Sequence, residues 1–124
     1  MISRHTQELV AARERRLEAR AERVRAAMLA GYRKDGPAFC VRRTEVVEHV
    51  ARRLGIPVVS YQLFVEVADA ATVLGWQTVC CGGRQLFRGV RNRRQSAAEA
   101  LARSRANRLD AGTAQWVSQP GRVL

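Results

Sequence analysis

Cysteine, histidine and lysine are all scarce in this chain of 124 residues, and each scarcity closes a line of interpretation. The three cysteines are Cys40, Cys80 and Cys81. An odd set with two adjacent members is poorly suited to a disulfide framework, because neighbouring cysteines rarely reach the geometry of a bridge. His5 and His49 are the only histidines. Without Cys-x-x-Cys spacing to accompany them, a closed zinc site lacks its ligands, so neither metal nor cofactor is expected. Long apolar runs are missing too: none approaches the roughly 20 residues that cross a bilayer. Met1-Ile2-Ser3-Arg4-His5 has no apolar stretch of the kind a secretory signal requires. The expectation is a cytoplasmic chain with no membrane partner.

Lysine occurs once, so 21 of the 22 basic residues are arginine, and the formal net charge is +11. Such an excess favours a polyanionic partner, since each cation set against a phosphate releases condensed counterions. Arginine in place of lysine is also what a genome of high G+C content yields, so the placement of the charge carries more than its total. Residues 1–34 hold nine basic against four acidic side chains, and residues 76–94 hold five arginines and no acid. Residues 60–75 hold Glu66 and Asp69 and no base.

Proline is absent from Ser3 to Lys34, a stretch dense in Ala, Arg, Glu and Leu. One long basic helix over residues 1–34 follows, with Ser3 or Thr6 as its cap. Val10, Leu17 and Val24 recur at intervals of seven with Ala21 and Met28 beside them, a thin apolar stripe on a charged rod. A helix of 28 residues in this stretch is about 42 Å long at 1.5 Å per residue, more than a small domain covers. It is either a free basic rod or an oligomerisation element in which Val10, Leu17, Val24 and Met28 meet a second copy or the last helix. A homodimer is expected.

Gly31 and then Asp35-Gly36-Pro37 end that helix, and a core domain over residues 38–94 begins. Ala38 to Val41 reads as a short strand. Thr44 is expected to cap a second helix with Val46, Val47, Val50 and Leu54 on one face, stopped by Gly55. Ser60 opens a third, in which Leu63, Phe64, Val67, Ala70, Ala71 and Leu74 keep an i, i+3, i+4 rhythm up to Gly75. Two β-prone runs then flank Gly82-Gly83, a two-residue hairpin turn, giving a wing at about 76–91. A helix over 95–110 and a tail over 111–124 complete the chain.

The fold class is therefore mainly α with a small β-ribbon, an α+β domain in the order helix, strand, helix, turn, helix, ribbon. That order is the connectivity of a winged helix-turn-helix. Ser60-x-x-x-Phe64, Leu74-Gly75-Trp76, Gly83-Arg84 and Arg88-Gly89-Val90-Arg91 resemble the C-terminal winged helix of phage and plasmid primase-helicases, from Thr44 to Arg91. The resemblance implies DNA binding near a replication or mobile-element function. No Walker motif or primase constellation accompanies it, so only the binding module carries over.

Helix-turn-helix readers place Arg, Lys, Asn or Gln of their second helix at base edges. Here only Tyr61, Gln62 and Thr72 are suited to that, and binding is expected to be led by the wing. Arg84 and Arg88 sit on the ribbon, Arg91, Arg93 and Arg94 track phosphates beside it, and Arg42 and Arg43 add backbone contacts. Affinity should then depend strongly on salt and weakly on sequence, with a preference for A·T-rich DNA where an arginine enters a narrow minor groove. RNA is an alternative ligand. Trp76, Phe87, Phe39 and Phe64 fall in core registers. His49 has no catalytic partner in the sequence, and the chain is read as non-enzymatic. The competing class is a protein-docking adaptor for a replication, transcription or structural partner, because winged helices also serve as docking modules.

Overall fold

The computed structural model describes the backbone of residues 3–118 and the side chains of residues 3–108. The first helix, α1, spans Arg4–Gly31, and the Ser3 side chain caps it by accepting the Thr6 N–H at 3.1 Å. It ends at Gly31, the first of the expected stops, where α1 packs closely against His49. A Cβ on residue 31 would lie 2.5 Å from His49 Nε2. The same Nε2 donates to the Ala27 carbonyl at 3.0 Å, since a carbonyl can only accept. No basic residue stands in the helix's own last turn. Arg93 supplies the cation from afar: its Nε donates to the Leu29 and Tyr32 carbonyls at 2.7 and 3.2 Å, and its backbone N–H to Gly31 at 2.9 Å. Positive charge at a helix C-terminus is stabilising.

Tyr32–Lys34 then form strand β1 and Cys40–Arg42 form β2, which runs directly into helix α2 at Arg43–Leu54. Thr44 is therefore not the cap. Arg42 holds the N-cap position without a side-chain cap bond, because the strand register extends through Arg42, opposite Leu86, and the helix begins at the next residue. Gly55 terminates α2, and Ser60 caps helix α3 at Tyr61–Val73 by accepting the Leu63 N–H.

Strands β3 at Gln77–Cys81 and β4 at Arg84–Arg88 form the expected hairpin, and β2 adds to its other side in the antiparallel order β2-β4-β3. Gly82 and Gly83 have φ of 57° and 78°, the left-handed values that a two-residue hairpin turn demands and that only glycine adopts without strain. A second sheet was not expected. Val90–Asn92 form β5, which pairs antiparallel with β1. Gly89, at φ 73°, turns the chain from one sheet to the other, its N–H donating to Phe39 at 2.7 Å and its carbonyl accepting from Asp35 at 2.8 Å. The Arg-Gly-Val-Arg motif is thus a junction between sheets.

The core lies between α1, α2, α3 and one face of the larger sheet. Val46, Val47 and Val50 of α2 meet Leu63 and Val67 of α3, and Trp76 packs edge-on against Phe87 at 5.4 Å and Tyr32 at 6.3 Å. Val24 and Met28 are fully buried in this core. They are not available to a second copy, because the stripe on α1 serves its own domain over its last two turns. Val10 and Leu17 remain about half exposed on the part that projects.

Helix α4, at Ala97–Ser118, extends past the expected limit and takes up the first part of the expected tail, while residues 119–124 lie outside the described residues. It covers the opposite face of the sheet and closes the outer edge of β2. Ser104 Oγ accepts the Cys40 N–H at 2.9 Å, and Asn107 Nδ2 donates to the Cys40 carbonyl at 3.2 Å. Both side chains are buried. Unpaired backbone at a sheet edge otherwise invites pairing with other chains. Ser104→Ala leaves the Cys40 N–H unsatisfied, so stability should fall by about 1–3 kcal/mol. Urea titration should show a lower midpoint at unchanged slope.

Candidate nucleic-acid interface

The N-terminus of α2 and the tip of the β3–β4 hairpin enclose a notch of about 400 Å³ lined by Arg42, Arg43, Thr44, Gly83, Arg84 and Gln85. Three of the six are cations and none is acidic. Two of the cations are held by other elements. Arg42 Nε donates to Asn107 Oδ1 at 3.1 Å, and the Arg43 guanidinium lies 5.3 Å from the centre of the Phe64 ring. Much of the rotamer entropy a ligand would have to remove from these two side chains is thus spent on folding. Arg84 is exposed and has no carboxylate partner among the described residues.

The nearest acid on α2 is turned away. Glu45 Oε2 accepts the Tyr32 hydroxyl at 2.9 Å. Burial and the adjoining carboxylate push that hydroxyl well above the ordinary phenol range, so it remains a donor at any working pH. Glu66 on α3 is likewise engaged, its carboxylate accepting Arg20 Nε at 2.8 Å. The repulsion that two acids on α3 would impose on a polyanion is therefore partly relieved by α1. Asp69 remains exposed.

Among the other expected contacts, the structure divides the arginines in a way that composition does not. Arg88 is exposed but sits at the base of the hairpin, on the face that α4 covers, beside Arg108. Arg94 is exposed at the turn after β5, where its backbone N–H donates to Asn92 Oδ1. Arg91 does not track outward. Its side chain donates to Asp35 Oδ2 and to the Gln95 carbonyl at 3.3 and 3.0 Å, lies 5.6 Å from the Phe39 ring, and has its Nε buried without a partner. Arg93 is exposed, with its Nε held at the end of α1. Arg91 is turned inward and Arg93 is anchored through its Nε while staying exposed, because β5 pairs with β1 and brings them to carbonyls and a carboxylate of the body.

Asp35 gathers that junction. Its Oδ1 accepts the Gly36 N–H at 2.8 Å, and Arg33 and Arg91 flank Oδ2, which together hold the carboxyl below its ordinary range. Tyr61 is 84% exposed at the start of α3, whereas Gln62 lines the groove between α1 and α3 and is separated from the notch. Gln85 and Asn107 were not anticipated. Asn107 stands 65 residues from Arg42 in the chain, and no sequence signal links them.

No group of three His, Cys, Asp or Glu side chains able to hold a metal ion occurs among the described residues, and no helix there is long and apolar enough to cross a membrane. Comparisons with family models, with curated proteins and with solved structures return no match.

Proposed function

We propose that the chain is a non-catalytic nucleic-acid-binding protein, a winged helix-turn-helix whose principal ligand is double-stranded DNA and whose wing is the β3–β4 hairpin. The observation that carries this is the notch: three guanidiniums, a hydroxyl, an amide and a glycine backbone, with no carboxylate in its wall among the described residues. Such a donor-rich, cationic surface suits phosphate. The sheet order β2-β4-β3, with β2 preceding α2 and the hairpin following α3, supports the winged-helix assignment. Arg42, Arg43, Thr44 and Arg84 would take the backbone at the notch, Arg88 and Arg94 would add charge farther along the surface, and Tyr61 would approach the bases. A place in replication or transcription control of a mobile element rests on the resemblance from Thr44 to Arg91. Anisotropy titrations of random, A·T-rich and RNA duplexes across salt concentrations test the proposal: a steep log–log salt slope with little sequence preference is expected. Undetectable binding at low salt would exclude it.

One observation favours the docking class. Val58, Tyr61 and Val73 are 75, 84 and 68% exposed on and before α3, a helix with no basic residue. Absence of nucleic-acid binding, together with saturable capture of a replication or structural protein that Tyr61→Ala abolishes, would establish that reading.

Self-association belongs to the same proposal, with Leu9, Val10 and Leu17 on the projecting half of α1 as its contact. They are 57, 49 and 60% exposed. Light scattering behind size exclusion should give the mass of two chains, and Val10→Glu with Leu17→Glu should give one. An unmodified chain that runs at the mass of a single copy at every concentration would remove the dimer.

A further inference from the structure

On the α4 side of the larger sheet, remote from the core helices, lies a second cavity of about 370 Å³. Its walls include Cys40 of β2, Val79 and Cys81 of β3, and Leu86 of β4, with Arg88 and Arg108 among the same residues. These strand residues share a face because the register sets Val79 opposite Leu86 and Cys40 opposite Arg88, and side chains alternate along a strand. Nothing acidic lines it among the described residues. Cys40 adds no charge: its thiol donates to the Ser104 carbonyl at 3.4 Å, and burial pushes its ionisation up.

Two cations beside an apolar wall set contradictory demands. Arg108 is already placed, with Nη1 donating to the Ala38 carbonyl, which leaves its other N–H groups for a ligand. Arg88 is exposed and has no partner among the described residues. A hydrophilic anion such as acetate satisfies the guanidiniums and gains nothing from Val79, Cys81 and Leu86. A neutral apolar molecule does the reverse. An apolar body carrying one small anionic group such as a carboxylate meets both, and the cavity stands at the small end of the range that ligand sites occupy.

We propose that this cavity is a binding site for a small apolar monocarboxylate, of the size of an aromatic or short-chain acid, with Arg88 and Arg108 on the carboxylate and Val79, Cys81 and Leu86 against the apolar body. Arg88 is also one of the cations offered to nucleic acid, so an occupant draws it away from that ligand. This coupling, unlike the site itself, rests on the nucleic-acid reading.

The test uses the full chain, labelled with ¹⁵N and titrated with benzoate and hexanoate, with benzamide, hexanamide and acetate as controls. Saturable shifts centred on Val79, Cys81 and Leu86 are expected at about millimolar ligand, at least about tenfold weaker for the neutral amides. Arg88→Met, at an exposed position, should weaken benzoate by about tenfold with the spectrum otherwise retained. Arg108→Met should do the same, and Val79→Trp should fill the space and abolish binding. Equal affinity for acid and amide, shifts mapping elsewhere, or none at all would overturn the site. A second arm repeats the duplex titration with benzoate present. Weaker binding supports the coupling, whereas unchanged duplex affinity with benzoate bound overturns the coupling alone. A chain that never binds nucleic acid leaves the site to be judged by the benzoate shifts.

Discussion

Phe87→Ala should cost about 3–5 kcal/mol and lower the unfolding midpoints in urea and heat. Phe87 is fully buried on β4, the central strand of its sheet, and its ring meets Trp76 edge-on. Truncation removes that contact and opens a cavity under Val41 and the helices, which valines already packed at zero exposure cannot move to fill. Domains of this size hold only about 5–15 kcal/mol in all, so a loss of this size takes about a fifth or more of the margin. Urea and thermal unfolding followed by circular dichroism measure it, with Phe87→Leu as the milder comparison. A variant that lost less than about 1 kcal/mol would mean that the packing described around Phe87 is not the one the protein relies on.

Arg43→Ala combined with Arg84→Ala should lower duplex affinity by about a hundredfold at moderate salt, close to the product of two roughly tenfold single losses. Each is the free energy of about one hydrogen bond to a charged group. The salt slope should also fall by about 0.9 for each phosphate contact removed. Arg93→Ala separates charge from contact: it deletes the same formal charge, but its guanidinium already caps α1, so it should cost stability and leave the slope unchanged. Full affinity in the double variant would show that the notch is not where the polyanion sits.

Much of the chain's local structure is legible in its sequence, because the signals are themselves local. Gly82-Gly83 announces the hairpin, Ser60 the start of α3 and Gly55 the end of α2, since each acts on neighbours within a few residues. What stayed hidden depends on partners far along the chain. Nothing in Tyr32-Arg33-Lys34, at the end of a strongly helical run, signals a strand whose partner is Val90–Asn92. Without that pairing, Arg91 and Arg93 cannot be told from Arg84 and Arg88, as all four are cations in one basic stretch. Val24 and Met28 show the same limit from the apolar side: one stripe runs along α1, and only the folded body shows which part it covers. The notch was half visible. Arg42, Arg43 and Arg84 stand out as cations near a helix start and a turn, but that they converge follows from the pairing of β2 with β4.

The closure of β2 by Ser104 and Asn107 has a consequence for how the protein is made. Cys40 leaves the ribosome 64 residues before the serine that seals it, so throughout that interval the strand's outer edge has no cover of its own. Chains that stop short of Asn107, through a nonsense codon or a protease cut in α4, would carry the hairpin and the three-helix body yet keep an open, adhesive flank. Such fragments should clump or be cleared by quality control, and a shortened expression product ending near residue 95 would be a poor surrogate for the whole.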